Sequence, residues 1–172
     1  YQILSSAFAH CLGAVAARDR DAGTKGLPRG QGLGCSGFLC GAAFRTRPGQ
    51  EAFSTTTLVA HPDGFFTLFT GASDVGQGAE TTLCQIAANE LGVPIEKIRI
   101  VAADTALTPL DMGTYSSRVT MMAGNATLAA AAQVARQLRG TAAQELEANP
   151  ADLMVAGERV YVRGSPQKGL AL

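Results

Sequence analysis

The residues best suited to ligand chemistry lie in one glycine-rich segment, Thr70 to Glu80. Gly76 and Gly78 have no Cβ, so the backbone there could approach a ligand closely. Gln77, which lies between them, offers two N–H donors and one carbonyl acceptor. Because glycine leaves the polar backbone uncovered, this segment suits an anionic or carbonyl-rich ligand.

The neighbouring segments place this glycine turn at the start of a helix. A β-prone apolar run, residues 65–69, precedes it, and a run with helical spacing, residues 81–91, follows it. A helix start gathers free backbone N–H groups beside the positive end of the helix dipole. On the motif alone, a plain strand-to-helix turn that uses glycine only for its geometry is the more common structure. Asp74 is expected to cap the helix and not to act in catalysis.

The composition of the 172-residue chain excludes several classes of protein. Its 14 basic and 14 acidic residues cancel, so there is no basic surface for nucleic acid. The hydrophobic fraction of 47% is enough for a core, yet no apolar run is long enough to span a membrane. The four cysteines form no Cys-x-x-Cys pair and there are only two histidines, so no zinc or iron–sulfur site is expected. We expect the cysteines to be reduced and the protein to be cytoplasmic.

Hydrophobic periodicity predicts an α+β fold in which a mixed β-sheet packs against two main helices. The predicted order is α-β-β-β-α-β-α-β-β, for residues 3–18, 29–38, 55–60, 65–69, 81–91, 95–101, 118–148, 154–155 and 160–162. The turn residues 62–64 and Gly157 predict two hairpins, and Gly92 predicts the end of the helix at residues 81–91. Glycines inside the last helix leave a bend or break open. Residues 1–26 are interpreted as a helix and linker from the tail of an upstream segment, and residues 27–172 as the domain itself.

Three stretches together resemble the large, molybdenum-cofactor-binding subunit of the xanthine oxidase/aldehyde oxidoreductase family. They are Gly71–Gly78 with Thr81 behind it, Gln85–Pro94, and Ala103–Ala126, which contains Gly113-Thr114-Tyr115-Ser116-Ser117-Arg118. Their order and spacing match over roughly residues 27–140. Residues 108–111 and 115–120 also resemble 4-hydroxybenzoyl-CoA reductase.

The resemblance implies a cofactor and a set of partners. Members of the family bind a pterin dithiolene that holds molybdenum, in many cases as a cytosine dinucleotide. They act on a small-molecule substrate, by inserting oxygen from water or, in the hydroxybenzoyl-CoA member, by reductively removing a ring hydroxyl. Iron–sulfur clusters and FAD on other subunits or domains carry the electrons. The upstream half of the cofactor site is missing here, so the chain is interpreted as a fragment of a larger subunit, inactive alone.

The resemblance also assigns roles to individual residues. The cofactor-binding positions are Gly76, Gln77, Gly78, Thr114 and Ser117. Tyr115 and Ser116 match positions beside the substrate face of the metal, and no residue is expected to bind the metal directly. For Arg118 two roles stay open: a charge for the cofactor, or an ion pair at the start of a helix.

No catalytic residue is expected in this chain. The catalytic glutamate of the family lies in a Gly-Glu pair near the C-terminus of the full subunit. The pair present here, Gly157-Glu158, follows the second main helix directly, where that glutamate does not fall. Two other functions remain as alternatives: a non-catalytic cofactor carrier, and a nucleotide-binding module that uses residues 76–78 on phosphates without a metal.

Overall fold

The computed structural model describes residues 7–18, 34, 36, 40 and 53–172. The chain divides into two compact units, residues 1–38 and 39–172. In the first unit, helix α1 runs over Phe8–Arg18, within the predicted helix 3–18. The predicted domain boundary after residue 26 and all but residues 34 and 36 of the predicted strand 29–38 lie outside the described residues.

A mixed three-stranded sheet forms the centre of the second unit. Its strands are β1 (Thr56–Ala60), β2 (Phe66–Thr70) and β3 (Ile98–Ala102), in the order β1-β2-β3. The β1–β2 pair is the predicted antiparallel hairpin, and β2 and β3 pair in parallel. Alternate residues of β2 are buried, which fixes the face of the sheet that contacts the helices. The strand predicted at residues 95–101 begins later, at Ile98, because Ile95–Lys97 form a 3₁₀ turn.

Two helices pack against each other and cover this sheet. Helix α2 (Ala79–Leu91) connects β2 to β3, and helix α3 (Val119–Glu145) follows the loop after β3. A Cβ at Gly124 of α3 would lie only 3.1 Å from Cδ1 of Ile86 of α2, so glycine allows the close approach of the two helices. Helix α3 is continuous, without the bend or break that its glycines left open. The predicted α+β class with two main helices is confirmed.

A second, antiparallel sheet follows helix α3. After a 3₁₀ turn at Pro150–Asp152 come β4 (Leu153–Ala156), β5 (Arg159–Val162) and β6 (Ser165–Ala171). The β4–β5 hairpin was predicted, but β6 was missed because its polar, proline- and glycine-containing sequence has low β propensity. Gly157 and Glu158 form the two-residue turn of the hairpin, both with positive φ, as a type I′ turn requires.

Gly92, the residue after α2, lies against strand β4 of the second sheet and gives the first prediction. It ends α2 with φ of +62°, and a Cβ there would lie 2.6 Å from Cα of Ala156. We expect Gly92→Ala to lower the free energy of unfolding by about 1–3 kcal/mol or more, measured by denaturant titration, because strain and overpacking add.

Gly140→Ala is the matched control. Gly140 is exposed inside α3, where a Cβ would meet no atom within 4 Å. This substitution should raise stability by roughly 0.5–1 kcal/mol, the ordinary gain for alanine in a helix. Equal stability of Gly92→Ala and the wild type would refute the close-packing argument.

Candidate functional site

The glycine-rich segment is a loop between β2 and α2, as predicted. Gly76 and Gly78 have φ of +104° and +75°, and Gly78 is the N-cap of α2. A Cβ at either position would meet no atom within 4 Å. These glycines are therefore needed for their backbone angles, and the space above them is open within the described part of the chain.

The carboxylate of Asp74 folds over its own loop. Oδ1 accepts the N–H groups of Gly76 at 2.8 Å and Gly78 at 3.3 Å, and Oδ2 accepts that of Glu80 at 3.4 Å. The bond from Gly76, followed by the other backbone bonds, lowers the pKa of Asp74 despite the opposing effect of desolvation. The predicted capping role is confirmed. Because Asp74 occupies the N–H groups of Gly76, Gly78 and Glu80, fewer free N–H groups remain at this helix start than a helix start alone would offer.

Gln77 also braces this loop. Its Oε1 accepts the N–H of Val75 at 2.7 Å, and its Nε2 donates to the carbonyl oxygen of Ser73 at 3.2 Å. The residue is exposed. Since Nε2 carries two hydrogens, one donor remains for a ligand. The role of Gln77 in binding a cofactor stays a prediction.

The second candidate loop lies directly beside the first. The Thr114 hydroxyl donates to the carbonyl oxygen of Ser73 at 2.7 Å and accepts the Ser73 N–H at 3.2 Å. The two loops also meet at Gly71, before Ser73. A Cβ on Gly71 would come within 2.3 Å of the Pro109 carbonyl oxygen, so the two backbones are in contact there. The only proton of the Thr114 hydroxyl is therefore used between the loops, and a cofactor could reach only its remaining lone pair.

The turn before α3 has a strained backbone. Ser116 and Ser117 have φ of +49° and +51°, a conformation that costs a residue with a side chain about 1–2 kcal/mol. Ser117 is exposed, whereas Ser116 is 7% exposed and Tyr115 is partly buried. Ser117 can thus reach a ligand directly. The substrate-facing roles of Tyr115 and Ser116 stay predictions.

Arg118 is fully buried beneath this turn. Nη1 donates to Asp111 Oδ1 at 2.8 Å and to the Gly113 carbonyl at 2.7 Å. Nη2 donates to the Phe53 carbonyl and to the Ser54 hydroxyl, the latter at 3.1 Å. Of the two roles left open by the sequence, the ion pair at the helix start is the one observed.

The first turns of the two helices differ in their capping. Neither N-cap residue, Gly78 or Arg118, makes a side-chain capping bond, but Asp74 accepts the Glu80 N–H in the first turn of α2, whereas the first turn of α3 contains no acidic residue. The N–H groups at the start of α3 have no intrahelical acceptor, and the helix dipole makes that end positive. The start of α3 therefore has more N–H groups left for an anion than the start of α2, and both helix starts follow loops that the resemblance assigned to the cofactor.

A groove of about 430 Å³ runs between the helices and was not predicted. It begins at Thr82 and Thr120 in the first turns of α2 and α3 and continues past the amides of Gln85, Asn89 and Asn125. Gln85 and Asn89, a polar pair at i and i+4 on α2, were the sequence signal that could have indicated this groove.

Among the helices of the described residues, none has the length and hydropathy that a membrane span requires.

Comparison with known proteins gives a consistent family. Residues 8–171 match the family model of a molybdopterin cofactor-binding domain. The chain is 41% identical over 122 residues to the gamma subunit of the 6-hydroxypseudooxynicotine dehydrogenase complex of Paenarthrobacter nicotinovorans, covering 71% of this chain and 15% of that protein. It is 28% identical over 145 residues to the putative xanthine dehydrogenase molybdenum-binding subunit of Escherichia coli, covering 84% and 19%.

A solved structure has the same fold. The chain aligns with reconstituted CO dehydrogenase from Oligotropha carboxidovorans at a TM-score of 0.69 and 35% identity, covering 78% of this chain and 17% of that one. The chain thus spans less than a fifth of the length of each of these three relatives.

The contact between the two loops gives the second prediction. Thr114→Val keeps the side-chain shape but leaves the Ser73 N–H without a partner and the Ser73 carbonyl with only its bond from Gln77 Nε2. The free energy of unfolding should fall by about 1–3 kcal/mol, and hydrogen exchange in residues 71–78 should become faster. Thr114→Ser, which keeps the hydroxyl, should behave like the wild type. Unchanged exchange in Thr114→Val would contradict the role of this contact.

The lowered pKa of Asp74 gives a prediction on pH. A carboxyl group whose folded pKa is below its unfolded value near 3.8 stabilises the fold above that value. This contribution is lost as the pH falls through the lowered folded pKa. The stability difference between wild type and Asp74→Asn, measured by urea unfolding, should therefore be largest near neutral pH and shrink below about pH 4.

The exposed Glu145 at the end of α3 provides the control for this experiment. Glu145→Gln should leave the acid-range dependence close to that of the wild type. A wild-type-minus-Asp74→Asn difference that is constant from neutral to acidic pH would show that the Asp74 bonds do not stabilise the loop.

Proposed function

Because the chain belongs to the molybdopterin cofactor-binding domain family of the xanthine oxidase type, we propose that its two joined loops hold part of a molybdenum-pterin cofactor. The observation that carries the proposal is the contact between Ser73 and Thr114. It brings together two loops that are 41 residues apart in the sequence at this contact, and the resemblance had assigned both to the same cofactor.

The residues present fit such a group. At Gly76 and Gly78 a Cβ would extend into open space, so these two positions leave room for a bulky flat ligand. By contrast, Gly71 is filled by its own chain. The donors comprise the remaining Nε2 hydrogen of Gln77, the exposed Ser117 hydroxyl and the N–H groups at the start of α3. This set suits a ligand that is polar along one edge and anionic at one end.

These residues would divide the work of binding. Residues 76–78 would contact the pterin, and Ser117 with the start of α3 would bind the anionic end, whether or not it carries a cytosine nucleotide. Tyr115 and Ser116 would flank the face on which the substrate binds. When bound, the cofactor supplies the redox chemistry; the chain supplies position and exclusion of water.

The whole protein is proposed to be a molybdenum-dependent oxidoreductase. It would either insert oxygen from water into a small-molecule substrate or reductively remove a ring hydroxyl from an aromatic acyl-CoA. Iron–sulfur and FAD subunits or domains would carry the electrons, and the rest of the large subunit would provide the catalytic glutamate. The names of two relatives, a dehydrogenase complex subunit and a molybdenum-binding subunit, support such an assembly. We place it in the cytoplasm.

The chain by itself is proposed to be inactive. A pterin cofactor is held by contacts on several sides, and the loops described here offer only one of them. Glu158, in the hairpin turn, pairs with Lys97 at 3.3 Å and lies in a different part of the unit from the loops, which agrees with its exclusion from catalysis.

Gln77 provides the test of cofactor binding. In the full-length subunit assembled with its partners, Gln77→Ala should lose molybdenum, measured by elemental analysis per folded molecule. Loss of one hydrogen bond to a strongly polar group costs about 1.5–3 kcal/mol, which corresponds to roughly 10–150-fold weaker binding. Gln133→Ala, at an exposed position of α3, is the control and should keep full molybdenum content.

The outcomes separate the competing functions. Because Gln77 also braces its loop, the melting temperature is measured alongside; a fall in melting temperature with unchanged molybdenum would make Gln77 purely structural. A wild-type protein that binds nucleotides and no molybdenum would favour the nucleotide-binding module. One that binds the cofactor but lacks turnover in the full complex would favour the carrier.

A further inference from the structure

We propose that the buried pair Asp111–Arg118 is a positioning device for the turn Tyr115–Ser117, and so determines how that turn meets the cofactor. The inference rests on the proposed function, since it concerns the same site. Neither side chain of the pair faces the ligand: both are 0% exposed. They act through the backbone that they hold.

The guanidinium of Arg118 closes the loop into a ring. Nη1 bonds to Asp111 Oδ1 and to the Gly113 carbonyl, while the Gly113 N–H donates to the same Oδ1 at 2.8 Å. The Arg118 N–H donates to the Tyr115 carbonyl at 3.1 Å. The residues between 113 and 118 are thus held at both ends by one side chain.

The same guanidinium also reaches outside the loop. Nη2 bonds to the Phe53 carbonyl and the Ser54 hydroxyl, which lie just before β1 and more than 60 residues away in sequence. Its carbon atom lies 5.5 Å from the centroid of the Tyr115 ring, over the ring face. The planar fork of arginine is needed for this arrangement, because it directs two nitrogens at separate acceptors; a lysine ammonium is a single point.

The strained backbone is what the pair holds in place. Ser116 and Ser117 lie in succession in the left-handed region, and such a conformation persists only where its surroundings over-determine it. On one side of these serines the guanidinium donates to the Gly113 carbonyl, and on the other side the backbone N–H of Arg118 donates to the Tyr115 carbonyl; the two bonds together provide that constraint. Stored strain of this kind is concentrated at ligand-binding turns.

The incomplete hydrogen bonding of the pair argues against a purely stabilising role. Nε of Arg118 and Oδ2 of Asp111 are buried and have no hydrogen-bond partner among the residues that the structure describes. A buried ion pair is weak evidence for stability even when fully satisfied, and unsatisfied atoms weaken it further. The alternative is that the pair merely neutralises itself, and in that case apolar residues could replace it without consequence.

The test uses the full-length subunit assembled with its partners and three variants, with Arg118→Met alone as the reference for the third. Arg118→Lys keeps a paired charge but loses the fork. Ser54→Ala removes one distant acceptor and is mild enough to fold. The double variant Arg118→Met with Asp111→Leu replaces the pair by apolar side chains. Arg136→Lys, at an exposed position of α3, is the matched control.

Three quantities are measured for each variant: the melting temperature, hydrogen exchange in residues 113–119, and molybdenum per folded subunit. We expect exchange in this segment to become about tenfold faster or more in Arg118→Lys and to increase measurably in Ser54→Ala. Molybdenum content should fall in both, to a larger extent in Arg118→Lys. The double variant should recover melting temperature relative to Arg118→Met alone and still lack molybdenum.

Either of two results overturns the proposal. One is wild-type exchange and molybdenum content in Ser54→Ala together with Arg118→Lys; if Arg118→Lys does not fold, Ser54→Ala decides alone. The other is full molybdenum content in the double variant, since it would show that the pair only neutralises itself. Failure of the proposed function would look different: the wild type itself would hold no molybdenum, while the exchange measurements would still report on the turn.

Discussion

The burial of one guanidinium, that of Arg118, determines the arrangement of the site. Its four hydrogen bonds join the segment before β1, the loop after β3 and the first residue before α3. A charge so deeply buried must be paired, and Asp111 is the residue that pairs it. This contact set therefore ties the residue before α3 to two other segments of the same unit.

The two loops differ in how they treat the N–H groups that have no acceptor at the start of a helix. The loop before α2 is satisfied internally, because Asp74 occupies its N–H groups and Gln77 braces its backbone. The turn before α3 uses its side chains for internal support and leaves the helix N–H groups uncapped. The loop before α2 therefore presents a surface whose N–H groups are already bonded within the loop. The turn before α3 presents the positive end of the helix dipole of α3. Thr114 joins them, so that a single ligand could contact both.

Local patterns in the sequence predicted the local structure well. The turn between β1 and β2, the β-prone apolar run of β2 and the end of α2 at Gly92 each depend on neighbours within a few residues. Strand β6 was not predicted, because its pairing with β5, and not its own composition, makes it a strand. The prediction that residues 76–78 and 114–117 share one site came from the resemblance, and the Ser73–Thr114 contact agrees with it.

The partners of individual polar groups could not be predicted. That Asp74 would occupy the N–H groups of its own loop depends on the loop conformation, which positive φ at two glycines decides. That Arg118 would face inward depends on Ser54, which lies 64 residues earlier. Sequence types limit which groups can bond, but only the tertiary structure selects the pairs.

The most direct measurement is an experimental structure of the full-length subunit purified with its cofactor. The cofactor is predicted to contact the open surface over Gly76 and Gly78, and its anionic end should lie about 3 Å from the N–H groups at the start of α3. Arg118 should remain bound to Asp111 beneath the turn, without contact to the cofactor. A cofactor bound away from both loops, or one whose anionic end is held by Arg118, would contradict this.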